Sequence, residues 1–263
     1  MRNTLLQNWR IFITMLRMDW AQGRGMFWGK LIDRFIWMMS LMLVAAYLLP
    51  TMGMTPSFGR LMLAGLLASL GISESYSVIA QFVADLEGDR VLLYYLTLPV
   101  SPILVFIRIV VYNALFFTVL GLVLFPVANF FLPEPIAYPA IHWPKFLWIF
   151  LLINLFHGAV VLWATTFVSD MRMLGKIWSR LLHPLWFFGG FQFTWAAVYK
   201  KSVWVSYLVL LNPLLYATEG IRSALLGSEG YLPFWVASGA LMIMTLLMIW
   251  HGVVRFKKRL DLV

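Results

Sequence analysis

The chain has 263 residues, 62% of them hydrophobic, with a mean hydropathy of +0.85 and only 12% charged residues, about half the roughly 25% typical of a soluble domain. No polar stretch is long enough to build a separate soluble domain, so 1–263 reads as one all-α integral membrane domain. The absence of cysteine excludes disulfides, thiol catalysis and thiolate metal sites, and the net charge of +9 fits basic cytoplasmic loops facing anionic lipid better than it fits nucleic acid.

Residues 1–30 are predicted to form an amphipathic helix lying at the inner membrane surface. Leu5, Trp9, Phe12, Leu16 and Trp20 recur at helical spacing, with Asn3, Gln7, Arg10, Thr14 and Arg17 on another face. Such a helix anchors to lipid, and its polar side offers an alternative contact for a cytoplasmic partner. The first apolar window follows about thirty residues in, too far for a cleavable signal.

Windows long enough to cross a bilayer, which needs roughly 20 apolar residues, lie near 31–50, 61–83, 103–132, 146–168, 177–198 and 234–254. A seventh region, 203–226, is divided by Pro213 into pieces too short to span, and it carries Asn212, Glu219 and Arg222. Six transmembrane helices with both termini inside place 15 of the 20 Lys and Arg on the inner side. A seventh span would move the basic tail "RFKKRLDLV" outside, against the positive-inside rule. The stretch 199–228 then reads as broken, re-entrant helices entering from the outer side, a shape tolerated only where protein or water surrounds the backbone.

No GxxxxGK[ST] is present, so any ATP-driven work requires a second polypeptide. Gly71-Ile72-Ser73-Glu74 matches the GxSx of intramembrane serine proteases. The same serine, however, belongs to a ridge of small residues, Gly65, Ser69, Ser73 and Ser77, whose spacing lets helices approach closely. Glu74, mid-span, either faces a translocation path or hydrogen-bonds to a neighbouring helix in its neutral form, because a carboxylate at that depth is costly unless used. His142, His157, His183 and His251 have no i, i+4 partner with a carboxylate, which argues against a metal site. Trp143, Trp148, Trp195, Trp204 and Trp235 fit an interfacial belt. The run "PLWFFGGFQFTW" (184–195) instead offers Phe188, Phe191, Gln192 and Trp195, with Glu74, as a stacking path for an amphiphilic or sugar-bearing substrate.

Two stretches together resemble one family. "LLNPLLYATEGIRSALLG" (210–227) is similar to the outer-loop signature of ABC type-2 transporter permeases, here carried by Asn212, Pro213, Leu214, Glu219, Arg222 and Gly227. "EGDRVLLYYLTLPVSP" (87–102) resembles the same family's cytoplasmic loop between spans two and three, a charged patch leading into a short amphipathic helix that ends in Pro99, Val100 and Ser101. Members often carry prolines at the start of the outer segment, and "GGFQFTWAAVYKKSVWVSY" has none.

The resemblance implies the permease subunit of an ATP-driven exporter in a prokaryotic cytoplasmic membrane, not itself an enzyme. Two copies would pair as a homodimer, each docked to a separate cytoplasmic ATPase that holds ATP and Mg, with no cofactor on this chain. The segment 85–99 would be the coupling helix. Asp85, Glu87, Asp89 and Arg90 would supply its polar contact, and Val91, Leu92, Tyr94, Tyr95 and Leu98 its apolar one. Asn212, Pro213, Glu219 and Arg222 would belong to the outer gate. The substrate would be a polysaccharide, a lipid-linked glycan, a drug or a lipid. Intramembrane proteolysis and secondary transport are the alternatives, and the two halves of the chain show no convincing repeat of the kind many secondary transporters carry.

Overall fold

The computed structural model describes residues 2–55 and 57–260, the side chains of 2–5 and 260 excepted. Asn3 and Leu5 of the expected interfacial stripe, and the end of the basic tail at 261–263, therefore fall outside the described side chains. Among the described residues every regular element is helical, and five helices are long and apolar enough to cross a membrane.

Helix α1 (Arg2–Leu43) continues through a π-helical turn at Val44–Leu48 and a last turn at Leu49–Thr51. It is followed by α2 (Phe58–Glu87), the short α3 (Val91–Thr97), α4 (Pro102–Phe130) and α5 (Trp143–Thr165). An irregular element, α6, is assembled from Leu174–Ile177, a π-helical turn at Trp178–Leu182 and His183–Phe187. Then come α7 (Trp195–Lys201), α8 (Val203–Val209), α9 (Pro213–Leu225) and α10 (Phe234–Leu260). Prolines open α4, α5 and α9 at their first turns, where a missing N–H costs nothing.

Helix α5 is apolar all round and sits at the centre, packed against α2, α4, α9 and α10. Its Phe146, Phe150, Ile153, Phe156 and Val160 are buried. A second cluster gathers Phe12 and Met15 of α1, Leu92 and Tyr95 of α3, and Val105 and Phe106 of α4 at the end of the bundle that carries α3. The outer faces of α1 and α10 stay greasy and uncovered, with Ile32, Ile36 and Leu43 on one and Ile243, Leu246 and Trp250 on the other. Such continuous apolar faces belong against lipid or another subunit.

Two expectations change. The first thirty residues are not a separate interfacial unit: they continue without a break into the first span, making a 42-residue helix. At roughly 1.5 Å per residue that helix is about 63 Å long, twice the thickness of a bilayer core of about 30 Å and so longer than one crossing needs. Its apolar stripe divides accordingly, Phe12 packing into the protein while Trp9 and Trp20 stay exposed. The window 177–198 is likewise not a continuous span. Helix α6 ends at Phe187, and the chain turns through Gly190, which takes a φ of +79°, before α7 begins. Residues 174–187 reach only about 21 Å at ~1.5 Å per residue, too little to cross alone.

Candidate functional site

The charged interval at 85–90 builds a joint. Helix α2 ends at Glu87, and Arg90 adopts the left-handed conformation with φ 55°, the one non-glycine with positive φ among the described residues. That turn swings the chain back so that the Asp85 carboxylate accepts the amides of Val91 and Leu92 at 2.9 and 3.0 Å. The Arg90 amide donates to the Asp85 carbonyl at 2.7 Å. The first amides of α3, which would otherwise be orphaned, are thereby satisfied by a side chain from the preceding helix. Glu87 accepts the Met171 amide at 3.2 Å, linking α3's base to the turn before α6, where Asp170 caps the amides of Arg172 and Met173.

The five apolar residues expected to share one docking face separate. Leu92 is 1% exposed and Tyr95 5%, both held in the protein's own core, whereas Val91 and Tyr94 point outward, Tyr94 at 63% exposure. Leu98 is half-buried. The surface α3 offers is therefore Asp89, Arg90, Val91 and Tyr94, and Asp85, Leu92 and Tyr95 anchor it.

Glu74 is buried in α2 and meets two cations of α1. Lys30 Nζ lies 2.9 Å from Oε2, and Arg34 Nε closes on Oε1. Arg34 also donates to Ser73 Oγ at 2.7 Å, and Ser73 donates to the Leu70 carbonyl at 3.2 Å. Two cations that the count of basic residues places on the inner side are thus partners of a mid-helix acid. Ser73 has an arginine, not a histidine, as its side-chain partner. His157, the buried histidine, has Nε2 2.9 Å from the Ala68 carbonyl and packs its ring against Gly71.

At the opposite end, α9 is a buried polar clamp. Asn212 caps it by accepting the Leu214 amide at 3.0 Å, while its Nδ2 donates to the Leu185 carbonyl at 2.8 Å. Pro213 takes the first helical position. Glu219 and Arg222 are both 0% exposed and stand 3.5 Å apart. Glu219 accepts the amides of Trp195 and Leu232 at 3.1 and 2.9 Å. Arg222 donates to the carbonyls of Phe193 and Phe191 at 2.7 and 3.0 Å. The non-helical backbone between α6 and α7 has no ladder of its own, and α9's side chains meet its hydrogen-bonding needs, as irregular backbone away from water requires.

The residues expected to line one substrate path are not brought together. Glu74 is committed to α1. Phe191 is buried and stacked on Trp186 at 4.6 Å, Phe188 and Gln192 are exposed, and Trp195 is half-buried, its indole donating to the Ser206 carbonyl at 3.1 Å to tie α7 to α8. The Glu87–Met171 link had no sequence signal; the small-residue ridge marked Gly65 as a place of close approach, but not that its neighbour is the Phe191 backbone, whose carbonyl oxygen an added Cβ would press into.

Comparison with protein-family models finds no match to the chain, and neither do comparisons with curated proteins and with solved structures.

Proposed function

We propose that the chain is the membrane permease subunit of an ATP-driven exporter, of the ABC type-2 class its two motifs resemble, with the ATPase on a separate polypeptide. The observation that carries this reading is the mounting of α3. A seven-residue helix is too short to persist alone. Here it is fastened through Asp85, Leu92 and Tyr95 while Asp89, Arg90, Val91 and Tyr94 face outward. A short helix rooted in the core and bearing mixed polar and apolar groups outside is suited to receive a push and pass it inward.

In this reading two ATPase copies bind ATP and Mg, and ATP shifts the population between conformations of two paired permeases. Pairing is favoured by Asp33, exposed on α1 beside the partly buried Arg34–Glu74 pair. A carboxylate at such a depth is costly against lipid, and a second copy would cover it. Helices α6 and α9 together supply the sixth crossing, α7–α9 close the outer side, and both termini lie in the cytoplasm of a prokaryotic cell. The substrate is an amphiphile, a polysaccharide or lipid-linked glycan on one hand or a drug or lipid on the other.

The test is purification of the tagged chain from its native host in mild detergent. A stoichiometric P-loop protein should accompany the wild type and be lost from an Asp89→Lys/Tyr94→Ala variant that still inserts. A clean preparation with no ATPase overturns the reading.

A further inference from the structure

At the end of the bundle that carries α3, helices α1, α2, α3 and α4 surround an open pocket of about 270 Å³, lined among others by Asp19, Gln22, Gln81, Tyr95, Arg108 and Tyr112. This is smaller than the roughly 300–1,000 Å³ clefts that take drug-sized molecules, so it suits a compact polar group. Arg108, 5% exposed, is its most buried charge. The guanidinium lies 3.9 Å over the Tyr95 ring, and Nε stands 3.3 Å from Asp19 Oδ2 off hydrogen-bond alignment. Both Nε and Nη1 are buried without a hydrogen-bond partner. A buried guanidinium with unmet donors is costly, and the cavity beside it is where a partner fits.

The other charges in the wall are already engaged: Lys30 holds Glu74, and Asp85 caps α3. That leaves one cation and one anion, Arg108 and Asp19, with no net charge between them. A lone anion would gain from Arg108 but meet Asp19; a lone cation would face the reverse. A group carrying both signs satisfies both residues. Two rings of the wall already face cations, Arg108 over Tyr95 and Lys30 5.4 Å from the Phe116 centroid, and for the cationic end a carboxylate is a stronger partner than the neutral ring faces of Phe82 and Tyr112. The cationic end therefore goes to the Asp19 carboxylate, which favours an ammonium with N–H to donate. Arg108 lies six residues into α4 from Pro102, about 9 Å along the axis at ~1.5 Å per residue. That is a depth a lipid headgroup reaches, and pockets between membrane helices do take headgroups; here the neutral charge balance selects one that carries both signs.

We infer that this pocket binds a phosphoethanolamine-type zwitterion, its phosphate on Arg108 and its primary ammonium on Asp19. The group is supplied by a phospholipid headgroup or by a soluble phosphoethanolamine, and the inference does not depend on what α3 docks to. The test is native mass spectrometry of the full chain in detergent, titrated separately with phosphatidylethanolamine, phosphatidylcholine, phosphatidylglycerol and free phosphoethanolamine. One phosphatidylethanolamine should be retained per chain, about tenfold more tightly than the other two lipids, and Arg108→Gln and Asp19→Asn should each lose it by a similar factor. Gln81→Trp plugs the exposed mouth without touching the charged pair, and it should also abolish retention if the charge variants fail to fold. Displacement by free phosphoethanolamine identifies the soluble source, and resistance to it the lipid one. Equal retention of the three lipids, no retention at all, or retention unchanged by Arg108→Gln and Gln81→Trp overturns the inference.

Discussion

Arg34 and Glu74, forty positions apart in the chain, close an ion pair between α1 and α2 in which the carboxylate is buried and the guanidinium partly so, and Lys30 joins it at 2.9 Å one turn earlier. Removing the buried carboxylate leaves two partly buried cations without their partner, at a cost somewhat below the ~3–5 kcal/mol of a fully buried pair. Glu74→Leu is therefore expected to be strongly destabilising, whereas the triple change Lys30→Met/Arg34→Met/Glu74→Leu should recover most of the loss. Thermal unfolding in detergent measures both. A Glu74→Leu protein as stable as wild type would show that the pair does not hold the two helices.

Asp85 is a cap before it is anything else. Asp85→Ala should release the Val91 and Leu92 amides, with the cost of about 1 kcal/mol typical of a lost capping residue. Hydrogen exchange at those two amides should then rise several-fold while the amides of α5 stay unchanged. Unaltered exchange in α3 would contradict the cap.

Arg90 separates conformation from charge. Its left-handed backbone costs an ordinary residue roughly 1–2 kcal/mol. Arg90→Gly should leave the fold as stable or up to ~1 kcal/mol more so, and Arg90→Val should lower stability by a comparable amount. Melting temperatures of the two variants give the comparison, and a less stable glycine variant would contradict the turn's geometry.

Gly65 admits the Phe191 backbone to the surface of α2. An alanine there would press its methyl into the Phe191 carbonyl, which is backbone held by Arg222 and cannot yield cheaply. Overpacking of this sort costs typically 1–3 kcal/mol, and it should disturb the Trp186–Phe191 stack. A lowered melting point together with altered tryptophan fluorescence is the expected outcome for Gly65→Ala. Wild-type values for both would mean that the loop sits elsewhere.

What the sequence discloses here follows from where the information lies. Hydropathy locates α2, α4, α5 and α10 because each is a long run whose burial or lipid contact is local in origin. Asn212-Pro213 marks the break before α9 because cap and proline act within one turn. The Glu74 partners, by contrast, come from a helix forty residues earlier, and counting charges by loop assigned Lys30 and Arg34 to the water side. The division of α3 into anchor and surface depends on a positive φ at Arg90, which no composition pattern signals in an arginine. The interruption of 177–198 is tertiary: its residues are apolar enough for a span, but α9 supplies the hydrogen bonds that let the chain leave helical geometry at Gly190.

The most direct test of the docking claim places a photoreactive amino acid at Tyr94, whose side chain is exposed and makes no part of the core. After irradiation of native membranes, one dominant adduct with a P-loop ATPase is expected, absent when the label is moved to the buried Leu92. Adducts with lipid alone, from a protein that is inserted and folded, would contradict it.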